Sequence, residues 1–202
     1  HNAMPDNGVK FLARGGHKLD DELEDKIEAV YDSHRHGEPW ERPTGAGVGR
    51  VRSYDEGFDQ YVAHLIAVLP NRLDGLKIVL DEAHGAAARV SPEAFSRAGA
   101  EVITIGAEPN GFNINLDVGS TATDALRKKV HEVRADIGIA LDGDADRVII
   151  VDENGEVVDG DQLMAVVAQS WAEDGLLSQP GIVATVMSNL GLERFLASIG
   201  LS

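Results

Sequence analysis

The sequence has 202 residues, 43% hydrophobic and 26% charged, with no cysteine and a formal net charge of −16. Disulfides and thiolate metal sites are therefore excluded, no apolar run approaches the roughly 20 residues of a membrane helix, and no secretory leader is expected. The negative charge argues against nucleic acid and anionic lipid as partners, and an anionic substrate would need a locally positive site.

Residues 9–13 are expected to form a short strand, broken at Gly15-Gly16. A helix follows from about Asp20, with Leu19, Leu23, Ile27 and Val30 on one stripe. Residues 32–50, rich in His, Arg, Gly and Pro, read as a linker. Within them, Gly45-Ala46-Gly47-Val48-Gly49 lacks the preceding strand that a nucleotide loop requires. A second helix is expected over 54–69, with Phe58, Tyr61, Leu65 and Val68 on one face, ended by Pro70 and Gly75.

Alternation then sets in: strand 76–81, helix 92–97 stopped by Gly99, strand 101–105, a polar loop over 107–121, helix 123–133 and strand 136–141. Strands at 148–151 and 156–158 flank Asn154-Gly155, a two-residue hairpin signal. A helix over 161–172, a strand over 182–186 and a helix from Ser188 complete the pattern. This alternation predicts an α/β fold of three-layer αβα type, with a mixed, largely parallel sheet covered by helices on both faces. The last β-α unit is too small to enclose a core. The chain is therefore expected to be truncated at both ends, one complete domain flanked by two partial ones.

Chemistry concentrates in Asp142-Gly143-Asp144-Ala145-Asp146-Arg147. Alternate residues of an extended segment point to one side, and the small residues between let the backbone curl. Three carboxylates can then converge on one hard cation, Mg²⁺, Mn²⁺ or Ca²⁺. Without a cation they would repel. The preceding apolar strand places the loop where ligands bind in open α/β sheets. A solvated acidic turn is the plain alternative. A calcium hand, with Asp142, Asp144, Asp146 and Glu153 as ligands, is rejected because Arg147 stands where that loop turns on glycine, and because the flanks read as strands. Arg147 either pairs with its aspartates or receives a phosphate oxygen. At the start of the chain, His1, Asn2 and Lys10 surround the turn Pro5-Asp6-Asn7-Gly8. Lys10 is either a strand lysine fitted by burial for proton transfer or an ordinary exposed one.

Together these segments resemble the α-D-phosphohexomutase superfamily over essentially the whole chain. His1-Asn2 with Asp6-Asn7-Gly8-Val9-Lys10 resembles the segment after that family's phosphorylated serine, and Asp142 to Arg147 resembles its metal loop residue for residue. Within the superfamily, the likeness is to the bacterial phosphoglucosamine mutases. It is carried by Gly15 to Leu19, by Glu108 to Asn115 with Gly119-Ser120-Thr121, and by Thr185 to Gly191. The resemblance implies interconversion of glucosamine 6-phosphate and glucosamine 1-phosphate through a phosphoserine enzyme and a bisphosphorylated sugar. It implies Mg²⁺ held by Asp142, Asp144 and Asp146, Lys10 as general acid/base, Arg147 beside the transferring phosphoryl group, and His1 and Asn2 positioning the serine.

It also implies a phosphorylated amino sugar as partner, a cytoplasmic setting and a homodimer of the full-length protein. Residues 1–50 would be the tail of domain 1 plus a linker, 51–159 domain 2, and 160–202 the opening of domain 3. The phosphoserine would fall just before His1, so the 202 residues alone are expected to be inactive. A mutase acting on glucose or mannose phosphates, and a non-catalytic metal- or phosphosugar-binding module, are the alternatives.

Overall fold

The computed structural model describes residues 2–6, 8–37, 39 and 42–202. The chain divides into two compact units, residues 8–57 and the remainder.

In the smaller unit, α1 (Asp21–Arg35) starts where expected. Asp20 caps it by accepting the Leu23 N–H, and acidic residues in the first turn with His34 and Arg35 in the last complement the helix dipole. Its stripe is less covered than the periodicity implies: Leu19 is buried, while Leu23, Ile27 and Val30 are exposed. The helix also runs through residues 32–35, which the sequence had assigned to a linker. The expected strand over 9–13 is not formed. Its backbone makes one isolated antiparallel bridge, Leu12 to Lys18, across the Gly15-Gly16 turn. A strand needs a ladder partner, and only this turn supplies one here.

The larger unit opens with α2 (Glu56–Ala67), whose buried residue is Val62. Phe58, Leu65 and Ile66 are half-buried around it, whereas Tyr61 and Val68 face out. The expected stripe was thus rotated: the covered positions follow an i, i+4, i+7, i+8 spacing, not i, i+3, i+7, i+10.

The sheet follows. Its strands are β1 (Lys77–Asp81), β2 (Glu101–Ile105), β3 (Ile137–Leu141), β4 (Val148–Asp152) and β5 (Val157–Val158), in the order β2-β1-β3-β4-β5. β1 pairs in parallel with β2 and β3, and the other two pairings are antiparallel. The sheet is mixed, as expected, because the chain over 142–147 turns β3 back into β4 and the Asn154-Gly155 turn returns β4 into β5. Alternate residues of β1 serve opposite faces. Ile78 and Leu80 pack with Leu73, Ala100 and Phe95, the last from α3 (Val90–Ala98). Val79 packs with Leu126 and Val130 of α4 (Asp124–Val133) and with Ala140 and Val151. These three layers bury the centre of β1 on both sides, which is why it reads as an unbroken apolar run. Gly99 ends α3 in the left-handed region, at φ 113°.

Two more helices, α5 (Gly160–Glu173) and α6 (Leu190–Ser198), share a core of Ala168, Leu192, Leu196 and Leu201. Asp159 and Gln162 form a capping box on α5, and Asp161 accepts the N–H of Asn189, the cap of α6. The strand expected at 182–186 does not form. No described strand lies beside it, and Val183 and Val186 are fully exposed. No described helix is long and apolar enough to cross a membrane.

Candidate metal centre

The acidic loop is the connection between β3 and β4. Leu141 and Val148 face each other across the antiparallel ladder, so residues 142–147 make the whole turn. Its flanks are strands, in agreement with rejection of a calcium hand. The Ala145 N–H donates to the Asp142 carbonyl at 3.0 Å, and Ala145 sits in the left-handed region at φ 60°. That conformation costs an alanine about 1–2 kcal/mol. The curl it produces turns the three aspartates to one side. One oxygen each from Asp142, Asp144 and Asp146 lie within 4.8 Å of one another. Two bonds of about 2.1 Å to Mg²⁺, or about 2.4 Å to Ca²⁺, span roughly 4.2–4.8 Å across the ion. The donor set therefore fits one hard divalent cation, and its spacing does not choose between the two.

Asp142 is buried and Asp146 is exposed. Arg147 neutralises part of the cluster. Its Nε donates to Asp142 Oδ2 at 2.9 Å, its backbone N–H donates to Asp142 Oδ1 at 3.1 Å, and Nε lies 3.5 Å from Asp146 Oδ1. Burial disfavours the charge on Asp142, but these bonds from Arg147 outweigh it and hold the carboxyl below the usual range. The same bond to Asp142, with the charges of Asp142, Asp146 and Asp144, raises the Arg147 guanidinium further above its ordinary value. The ion pair is present, and its contacts to Asp142 and Asp146 are made by Nε.

The loop rests on its neighbours. The Ala86 N–H donates to the Gly143 carbonyl at 2.9 Å, and the Ser120 N–H donates to the Leu141 carbonyl at 2.9 Å. Gly85 is buried against Gly143, where an added Cβ would lie 2.8 Å from the Gly143 Cα. Only a residue without a Cβ lets the two backbones approach this closely.

Two buried acids at the end of β1 belong to the same support and were not singled out in the sequence. Asp81 accepts N–H bonds from Ala83 at 3.1 Å and Gly119 at 2.8 Å. Burial raises its carboxyl above the ordinary value despite those bonds. Glu82 is fully buried, and burial, with the adjacent Asp81 charge adding to it, pushes its carboxyl up to about 7 against a bond to Ser91. The available signal was an Asp-Glu pair directly at the end of an apolar strand.

The other expected site residues lie elsewhere in the chain. Asn2 is exposed, and its side chain donates to the Asp6 carbonyl at 3.0 Å. His1 lies outside the described residues. Lys10 belongs to the 8–57 unit and is exposed, as the second of its two readings has it.

The family model for phosphoglucomutase/phosphomannomutase alpha/beta/alpha domain II matches residues 59–155, and that for domain III matches 159–202. A phosphoglucosamine mutase of Streptomyces griseus is 70% identical over 193 residues, covering 96% of this chain and 43% of the relative. One from Acidothermus cellulolyticus is 57% identical over 202 residues, covering 100% of this chain and 43% of the relative. The chain thus spans less than half the length of these relatives. Among solved structures, a phosphoglucomutase/phosphomannomutase family protein from Burkholderia thailandensis superposes with a TM-score of 0.64 at 21% identity, covering 90% of this chain and 38% of its own. At that identity the likeness speaks for the fold.

Proposed function

The chain belongs to the phosphoglucomutase/phosphomannomutase family, and on that footing we propose that it carries the cation-binding part of a phosphoglucosamine mutase. The reaction interconverts glucosamine 6-phosphate and glucosamine 1-phosphate through a phosphoserine and a bisphosphorylated sugar. The observation that carries the reading is the convergence of Asp142, Asp144 and Asp146 at the carboxyl end of β3, beside Arg147. Relatives bearing that name, at 57–70% identity, support the choice of sugar.

We assign the cation as Mg²⁺, which when bound offsets charge on the phosphoryl oxygens and holds the group in line. Asp142, Asp144 and Asp146 hold it. Arg147 meets Asp142 and Asp146 at Nε, and its guanidinium is assigned to a phosphate oxygen beside the cation. Lys10 is assigned proton transfer at the sugar hydroxyl, and His1 and Asn2 are assigned to the segment that positions the serine. A phosphorylated amino sugar as partner, a cytoplasmic setting and a homodimer of the full-length protein belong to the same reading. So do domain boundaries of 1–50, 51–159 and 160–202.

The test uses a protein of the relatives' length that contains these residues. Supplied in turn with glucosamine, glucose and mannose phosphates and Mg²⁺, it is expected to prefer glucosamine phosphate. Asp144→Asn is expected to weaken Mg²⁺ binding by about tenfold or more, since one negative ligand becomes neutral. A preference for glucose or mannose phosphate overturns the sugar assignment, and unchanged Mg²⁺ affinity by calorimetry removes Asp144 from the site. The 202-residue chain alone is expected to show no turnover.

A further inference from the structure

No step of the proposed reaction uses Glu82, yet it is fully buried beside the loops that carry the cation site. Its Oε1 lies 2.5 Å from Ser91 Oγ, and Ser91 Oγ lies 3.3 Å from the Ala87 carbonyl oxygen. Among the described residues, Oε2 has no hydrogen-bond partner. A serine hydroxyl has one proton to give. The Ala87 carbonyl can only accept, so when both contacts are hydrogen bonds Ser91 donates there. Ser91 then accepts from a protonated Glu82, whereas an ionised Glu82 would take the serine's proton and leave the Ala87 carbonyl without it. The bare Oε2 becomes the carbonyl oxygen of a neutral acid, which is far cheaper to bury than a carboxylate oxygen.

The backbone connects this side chain to the cation loop. The Glu82 carbonyl accepts the Gly85 N–H at 2.7 Å, and the next N–H, from Ala86, donates to the Gly143 carbonyl at 2.9 Å. Gly143 stands between Asp142 and Asp144. We propose that Glu82 is a neutral carboxylic acid whose donated hydrogen bond to Ser91 fixes the turn over 82–91, making it a positioning residue for the cation loop. The proposal touches the metal reading only through the place of the loop, and both of its parts can be read without an ion.

Other ionisable groups around Glu82 must be separated from it. Asp81 precedes it and is held by the Ala83 and Gly119 N–H groups. His84 lies in the same turn, with Nδ1 accepting the Glu108 N–H at 3.2 Å. On α3, which supplies Ser91, Glu93 is paired with Arg97.

The test is a metal-free NMR titration of the isotope-labelled chain between about pH 5 and 9. It follows the Glu82 side-chain carboxyl carbon, assigned on the unaltered chain by through-bond correlation to the Glu82 backbone, and the amides of residues 143–147. The carboxyl is expected to titrate near pH 7 rather than near 4.5, and the loop amides to move with the same midpoint. In Glu82→Gln, whose amide can still donate to Ser91, the loop amides should hold their low-pH positions across the range. A carboxyl midpoint near 4.5 overturns the neutral acid. Loop amides that stay still while Glu82 titrates, or that still move in Glu82→Gln and so follow His84, overturn the positioning role. The carboxyl midpoint is read on the unaltered chain, so that arm stands even if the variant does not fold.

Discussion

Asp142 and Glu82 are buried acids at the carboxyl ends of neighbouring strands, and they resolve burial in opposite ways. Asp142 gains a guanidinium and a backbone N–H from Arg147 and stays charged. Glu82 has only a neutral hydroxyl and the nearby charge of Asp81, and its proton is retained to about pH 7. The sign of the pH effect follows. The folded chain keeps a proton that the unfolded chain releases at 4.5, so the contribution of Glu82 to stability is fully present below 4.5 and is lost as pH rises through about 7. The full effect is about 3 kcal/mol. Denaturant unfolding at several pH values should show Glu82→Gln losing most of that slope; an unaltered slope would mean another group causes it. The convergence of Asp142, Asp144 and Asp146 was legible because alternating aspartates need no tertiary context. Glu82 was not, because an Asp-Glu pair after an apolar strand also fits a chain emerging into water. Its partner Ser91 lies nine residues on, in α3, and burial there is a property of the packed fold.

At the level of elements, legibility followed the availability of partners. The strand at 101–105 and the helix end at Gly99 fell where expected, since the neighbours that complete them lie within the described chain. The segments at 9–13 and 182–186 have strand-like composition but no ladder beside them, and composition alone does not make a strand. In α2 the error was one of face: Tyr61 counted as apolar in the periodicity, while packing covers Val62. The turn after β1 offers a test of how elements support the site. Gly85→Ala places a methyl against the Gly143 backbone, which cannot swing aside as a side chain can. A loss of roughly 1–3 kcal/mol is expected by denaturant unfolding, with displaced amide signals at 143–147. Gly160→Ala, with open space around it, should change stability by less than about 0.5 kcal/mol. Equal effects from both would dissociate the turn from the loop.

Across the whole molecule, burial is uneven. The sheet unit has cores on both faces, whereas the 8–57 unit contributes Leu19 as its buried apolar residue. Segments with few buried contacts open at low free energy and are cut first by proteases. Arg50 and Arg52 are exposed, while Arg72, Arg97 and Arg127 around the sheet are engaged in ion pairs. Limited trypsin digestion is expected to cut first before residue 58 and to leave a product that retains the sheet and α5–α6. An early cut inside residues 77–158, detected by mass spectrometry, would contradict this distribution of stability. The helix at α1 and the identity of its apolar stripe were readable from periodicity. The lack of cover over the α1 stripe was not, since periodicity reports which face is apolar and not what meets it.

The cation loop joins two adjacent antiparallel strands, and this bears on time as well as place. Leu141 and Val148 hold its ends roughly 5 Å apart before any ion arrives. Under the proposed reading, loading of a cation requires side-chain rotations, on the order of picoseconds to nanoseconds, in place of the slower closure of a free segment. Mg²⁺ gives up its waters reluctantly. The rate of uptake is therefore a property of the ion's hydration shell, and it changes with the identity of the ion while the hairpin sets only how long the ion stays.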